Sequence, residues 1–560
     1  MITRTSWLLV VAFVLVACTE LRDVPVRVAD PLVGPLTDID AKFLHAHVAW
    51  LSDDKRQGRM TGEPGYDASA AYVAAQFREF GLQPGADPDG NPDDDDAWFQ
   101  QVPLVRYQLN TETPSVVIHR NDKDRELIYR EHYGMSPDKV RETNSVRADV
   151  VYVGYGVHAP EFSYSDYDGI DVRGKIVALF GGAPSTFSHA QRAYYASSRT
   201  KAQEAVARGA IGSVGLRSRR IQEQTPWERF KQLTGKRPGM AWVSETGAAS
   251  GYFPELKGGI VISAATATEL FAASPISFEQ ALDAAAADTP ASTPLDFEVT
   301  LSRQTSHDRI ESPNVIGIVR GSDPEFADEF VVYTAHLDHV GISPAPETDD
   351  DINNGAYDNA MGISIMLETA KIFGEHPPAR SVMFVAVTAE ERGLLGSDYF
   401  AHYPTVPMAN IVANVNLDMP LFLYPIADLV AFGSEHSSLE PVVEAAAESE
   451  GFSLTPNPLP EENLFVRSDQ YSFVKKGIPA IYLIPGFTSS DPEIDGEAQF
   501  REHLKDHYHE PSDDLTRPVD WESVVRFTRS HIRIGYYIAN DAARPTWNEG
   551  DFFGERFGPN

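Results

Sequence analysis

The chain has 560 residues, 42% of them hydrophobic and 23% charged, with a formal net charge of -34 at pH 7. That length exceeds what one hydrophobic core supports and calls for two or more domains, while the composition excludes a predominantly disordered chain. The charge argues against nucleic acid or an anionic membrane surface as a partner, since both attract basic patches; it suits a solvated surface, or substrates with a cationic amino terminus.

The amino terminus reads as an export signal. Arg4 supplies a positive start, residues 7–16 are an apolar run too short to span a bilayer, and Leu15-Val16-Ala17-Cys18 resembles the bacterial lipobox. Lipidation at Cys18 is the expectation, with residues 1–18 as signal and membrane contact through the anchor only. The location implied is the bacterial cell envelope. Thr19, rather than aspartate, leans toward the outer membrane. Cys18 is the only cysteine, which leaves neither a disulfide framework nor a thiolate metal site. Residues 19–36 read as a tether and 37–106 as the first part of a catalytic domain. Within it, helices are predicted over 40–51 and 66–80, the latter stopped by Gly81. Residues 88–96 form an acidic, turn-rich and solvated loop.

From 107 to 292 short β-like runs dominate, at 115–119, 150–153, 175–180, 211–216 and 259–263, with a helix over 201–208. Tyr152-Val153-Gly154-Tyr155-Gly156 and Asp171-Val172-Arg173-Gly174-Lys175-Ile176-Val177 resemble the protease-associated domain, a small module inserted into peptidases. The stretch 264–294 carries one predicted helix and reads as the exit linker. Over 293–545 strand, loop and helix alternate, with strands at 314–319, 330–335, 382–388, 411–417 and 480–484 and helices at 362–373 and 439–448. The pattern predicts an α/β fold: a mixed central sheet flanked by helices, interrupted by the β-rich insertion. Residues 546–560 read as a C-terminal tail.

Polar residues gather at the carboxyl ends of those strands, where sites form in open α/β sheets. His336, Asp338 and His339 follow one strand, Glu390 and Glu391 another, and Asp418 a third, while Asp358 and Asn359 precede a helix. Imidazole and carboxylate without thiolate suit a hard or borderline divalent metal. Two zinc ions with one bridging carboxylate need about five protein ligands. His509, His503 and His507 compete for the last place, and Asp338 sits where it could orient the His336 ring.

Five segments together resemble the co-catalytic zinc aminopeptidases of metallopeptidase family 28: 335–341 around His336 and Asp338, 354–362 around Asp358, 389–397 around Glu390 and Glu391, 416–419 around Asp418, and 508–513 around His509. Leu51 to Gly62, with Gly58, Arg59 and Thr61, and Arg467-Ser468-Asp469-Gln470-Tyr471 resemble that family too. The resemblance covers most of 38–105 and 310–515. It implies two Zn2+ per chain, His336 and Glu391 holding one, Asp418 and His509 the other, and Asp358 bridging. It further implies Glu390 as general base, Asp338 as the partner of the His336 ring, and peptides with a free N-terminus as substrates. Gln470 departs from the histidine that relatives often carry there.

Three other readings compete. A glutaminyl cyclase on the same fold works with one zinc. A carboxypeptidase needs cationic groups for the substrate carboxylate, and Arg467 is the only one near the motifs. A non-catalytic binding protein would have lost ligands.

Overall fold

Residues 293–305 alternate between buried and solvent-facing side chains and residues 315–319 are wholly apolar, and one strand, Thr293–Val319, of 27 residues spans both stretches. At about 3.3 Å per residue it is roughly 90 Å long. The computed structural model describes residues 32–560 apart from 88, 89, 92, 237, 290, 344–348 and 560. The expected signal peptide, Cys18 and most of the tether lie outside the described residues. Two compact units divide the chain at Asp38. The first contains one five-residue helix, Val33–Thr37; everything below concerns Ile39–Asn560.

The apolar half of the long strand joins a mixed sheet. Val315–Val319 pair antiparallel with Val382–Ala386, and the strand Ser381–Val387 runs parallel to Phe330–His336. Phe330–His336 in turn pairs parallel with Ile411–Asn416, which pairs parallel with Ala480–Pro485. Asp428–Phe432 follows antiparallel, and the short strand Ser453–Leu454 pairs parallel with it beyond. These central strands are buried at every position, as parallel strands covered on both faces must be. Helices Ala41–Leu51, Pro64–Glu79, Met361–Glu375 and Trp521–Asn540 flank the sheet. Asp40 caps the first, its carboxylate accepting from the Lys42 N–H at 2.9 Å.

The alternating half of the long strand builds the insertion. Residues Thr293–Gln304 pair with Thr143–Tyr152 and Ser115–His119, and parallel strands Ile176–Phe180, Gly212–Leu216 and Gly259–Ile262 extend that sheet. Its core includes Tyr133, Tyr152, Phe180, Phe271, Phe278 and Leu282. The expected linker 264–294 contains two helices rather than one, Ala264–Phe271 and Phe278–Ala286, because Ser263 and Ser277 each cap a separate start. The expected boundary at 292 falls where this strand begins, and the strand then runs unbroken through both sheets.

The C-terminal residues are docked. Phe553 of the helix Phe552–Phe557 is fully buried against Phe465 and His436, while Phe552 meets Tyr194 and Tyr195 of the insertion. The Arg556 guanidinium lies 4.2 Å over the Tyr194 ring.

Candidate metal centre

Three of the central strands deliver acidic or imidazole groups at their carboxyl ends. His336 is the last residue of its strand and is almost fully buried. Its Nε2 lies 3.1 Å from Asp358 Oδ1 and 3.1 Å from Asp418 Oδ1. Across Asp358 stands a second group: His509 Nε2 is 3.2 Å from Asp358 Oδ2 and 2.9 Å from Glu391 Oε2. His339 Nδ1 lies 2.8 Å from Glu391 Oε1 and 3.7 Å from Asp358 Oδ2. Two potential cation sites therefore share Asp358, one formed with His336 and Asp418, the other with His339, Glu391 and His509.

Two expectations change. The groups pair as His336 with Asp418 and Glu391 with His509, not as His336 with Glu391 and Asp418 with His509. Phe330–His336 lies between Ser381–Val387 and Ile411–Asn416, so strand adjacency allows either pairing and the loops after the strands decide it. The Asp338 carboxylate does not orient the His336 ring; the ring Nδ1–H donates to the Asp338 backbone carbonyl at 3.0 Å. The Asp338 side chain instead accepts from the backbone N–H of Glu390 at 3.0 Å and of Glu391 at 3.3 Å, and from Thr61 Oγ1 at 3.2 Å. It holds the turn that carries both glutamates. Glu390 stands outside both groups, with its backbone tied to Asp338.

Other loops are fixed by backbone contacts that the sequence does not advertise. Arg59 is buried and donates to the carbonyls of Leu51, Leu337, Asn354 and Gly355 at 2.6–3.0 Å. Asp513 accepts from the N–H groups of Tyr357 and Asp358 at 3.0 and 3.1 Å. Asn359, joined to Asp358 by a cis peptide, accepts from the Met419 N–H and donates to the Leu417 carbonyl. Gln470 bridges Asn416 and the Phe465 carbonyl, so it braces the strand before Asp418. Of the three competing histidines, His509 faces the shared aspartate. His507 bonds Ser512 and Arg517, and His503 packs edge-on to Tyr357.

The electrostatics fit a divalent cation. Burial disfavours charge on His336 and His509, yet the surrounding carboxylates outweigh it. They lift His336 well above the ordinary imidazole range and His509 to about 10. Burial works against ionisation of Asp358 as well, but His339, His336 and His509 hold it well below its usual value. The nest thus retains protons on its imidazoles only to balance its carboxylates, and cations replace such protons on binding. The buried Nε2 of His339 has no hydrogen-bond partner. Nitrogen and oxygen donors without thiolate suit zinc.

Residues 314–534 match the family described as Peptidase family M28. The chain is 32% identical over 211 residues to Aminopeptidase YwaD of Bacillus subtilis, covering 36% of this chain and 40% of that protein. It is 29% identical over 213 residues to Probable leucine aminopeptidase 2 of Aspergillus fumigatus, again 36% and 40%. The chain spans about two fifths of the length of these curated relatives. The solved aminopeptidase from Aneurinibacillus sp. strain AM-1 shares the fold, with a TM-score of 0.52 and 18% identity over 91% of this chain and 96% of that one.

Proposed function

We propose, from the match of residues 314–534 to Peptidase family M28, that this chain is a di-zinc aminopeptidase that hydrolyses N-terminal residues from peptides. The observation that carries the reading is the pair of donor groups sharing Asp358. His336 and Asp418 would hold one ion. Glu391 and His509, with His339 beside them, would hold the other. Zinc, when bound, supplies Lewis acidity toward water and the scissile carbonyl.

The remaining steps belong to the chain's own residues. A carboxylate oxygen of Glu390 takes a proton from the attacking water and returns it to the leaving amine nitrogen. Asp338 and Thr61 fix the main chain of Glu390, so the base stays beside the nest rather than within it. Arg59 and Asp513 lock the loops that carry Asp358. The excess of carboxylates attracts the ammonium of a free N-terminus, which is what makes the reaction an exopeptidase one. Cys18 carries the lipid of an exported, envelope-anchored protein, a reading supported by the apolar run before this lone cysteine.

The test is a metal count on the purified protein beside a panel of aminoacyl chromogenic substrates and their N-acetylated counterparts. Two zinc ions per chain and cleavage of the free-amine forms alone are expected. Equal cleavage of the blocked forms, or one zinc with cyclisation of N-terminal glutamine, defeats the proposal.

A further inference from the structure

The sequence singles out Arg467 as a cation near the motifs. The fold brings Arg220 beside it and sets Arg229 against Glu510, both from the insertion. Arg220 Nη2 and Arg467 Nη1 each lie 3.2 Å from an oxygen of Glu462, so one carboxylate sits between two guanidiniums. Arg229 Nη2 lies 3.8 Å from Glu510, the residue directly after His509. Neighbouring Cα atoms are about 3.8 Å apart, so Arg229 is anchored one residue from an imidazole of the metal nest. Arg467 is equally close to the chemistry. The next residue, Ser468, accepts from Asn416, two positions before Asp418.

The arginines of the insertion stand on a preformed support. Arg217 lies 5.4 Å from the Trp227 ring and 5.5 Å from the Phe230 ring, and donates to the carbonyls of Ile221 and Thr225. Trp227 Nε1 donates to the Arg130 carbonyl at 3.0 Å. Phe230 packs onto Gly134, where a Cβ would come within 2.7 Å of its ring. The side chains of Arg220, Arg229 and Arg467 nevertheless remain 47%, 57% and 52% exposed. A guanidinium presents its donors in a planar fork that matches a carboxylate, and the contact of Arg229 with Glu510 is too long to fill one. In a chain of net charge -34, a cationic rim beside an anionic nest is a local reversal of sign.

We infer that Arg220, Arg229 and Arg467 form a carboxylate-binding rim, so that the preferred substrates carry a carboxylate just beyond the scissile bond. The inference rests on the aminopeptidase reading. Two sources present that chemistry: the C-terminus of a dipeptide, and an acidic side chain in the second position. The free amine enters the nest while the carboxylate meets the rim, displacing Glu462 from its guanidinium pair. Specificity then depends on the insertion, although no metal-nest residue comes from it.

The experiment uses the full, zinc-loaded chain with four substrates: Leu-Leu, Leu-Leu amide, Leu-Asp amide and N-acetyl-Leu-Leu. Wild type is expected to favour Leu-Leu, Leu-Asp amide or both over Leu-Leu amide by about 10-fold in kcat/KM, mainly through KM. Whichever exceeds the amide identifies the source of the carboxylate. In the R229Q/R467Q double variant that ratio should fall to near 1, and added salt should erode it in wild type. Equal kcat/KM for all three free-amine substrates in wild type overturns the rim. A ratio that survives in the double variant overturns the assignment to these arginines. Failure on all three free-amine substrates sinks the aminopeptidase reading instead, as does cleavage of N-acetyl-Leu-Leu.

Discussion

Glu390 and Glu391 are chemically identical neighbours, and their replacement by glutamine is expected to produce opposite defects. Both backbone N–H groups bind the Asp338 carboxylate, which the substitutions leave in place. Only Glu391 is committed through both carboxylate oxygens, at 2.8 Å to His339 and 2.9 Å to His509. An amide there turns one oxygen into an NH2 group, and one imidazole loses its acceptor. Glu391→Gln should therefore weaken one zinc site by at least the 10–100-fold, or about 1.4–2.7 kcal/mol, typical of disturbing a metal ligand's surroundings. Glu390→Gln removes no such contact and should keep both ions. It should lose about 10²–10⁴-fold in kcat, equivalent to roughly 2.7–5.4 kcal/mol of transition-state stabilisation. Metal content by mass spectrometry and kcat on Leu-Leu amide, measured for both variants, separate the cases. Added zinc should rescue Glu391→Gln in part and leave Glu390→Gln inactive. If Glu390→Gln loses zinc while Glu391→Gln stays fully loaded and inactive, the two roles are reversed.

His339→Ala should lower metal affinity at the Glu391–His509 site by about 10–100-fold, because that histidine steers one Glu391 oxygen; chelator competition reads it, and unchanged affinity refutes it. Asp551→Asn keeps the helix cap, which uses Oδ1, but breaks the 2.6 Å contact with His436. Burial opposes charge on His436, but Asp551 and Glu435 outweigh it and raise its pKa. Asp551 is likewise disfavoured by burial, yet His436 lowers it. The raised histidine contributes fully below about pH 6.5 and loses its contribution as pH rises through its folded value; the lowered aspartate contributes above about pH 4 and loses it as pH falls. The wild-type advantage should thus be about 1–3 kcal/mol between roughly pH 4 and 6.5 and shrink outside that window. A pH-independent difference in urea melts contradicts this. Cys18→Ser should abolish acylation and release the protein from membranes, and an acylated amino terminus elsewhere in its mass spectrum would rule Cys18 out.

The strands were legible because they are runs of mostly apolar or β-branched residues, three of them ending beside residues with chemistry to offer. The reading 330–335 differs by one residue from Phe330–His336, and 480–484 by one from Ala480–Pro485. The full extent of Thr293–Val319 was not legible, since burial alternates over 293–305, residues 306–309 are all polar and 315–319 are uniformly apolar, so it resembles two elements. Residue types located the nest, but spacing could not say which imidazole faces which carboxylate. That depends on how the loops after the strands converge, a long-range property. Arg59 stood in a segment with family resemblance, but its role was not readable because its partners are backbone carbonyls from segments about 280–300 positions away as well as from nearby Leu51. His339 was hidden beside His336, whose motif accounted for the segment without it. Arg220 and Arg229 were invisible for a related reason: they come from a segment that carries no metal motif.

The shared strand also bears on how the insertion can move. A module strung on flexible linkers swings about them, but here eleven consecutive residue pairs, from Thr305 with Leu109 to Val315 with Phe99, lead from the insertion into the central sheet as a beam, with Gly239–Trp242 added as a third strand along residues 104–107. Bending such a beam strains its whole ladder, so reorientation of the insertion is a stiff, distributed flexure with no single pivot residue. The end of the beam pairs with Ser381–Val387, the strand that leads to Glu390 and Glu391. Load applied to the insertion is therefore delivered one strand away from the proposed base. A grafting experiment that cuts at 107 and 292 would saw through this beam, leaving Thr293–Gln304 without partners; cuts that retain residues up to 109 and resume at 305 leave it whole.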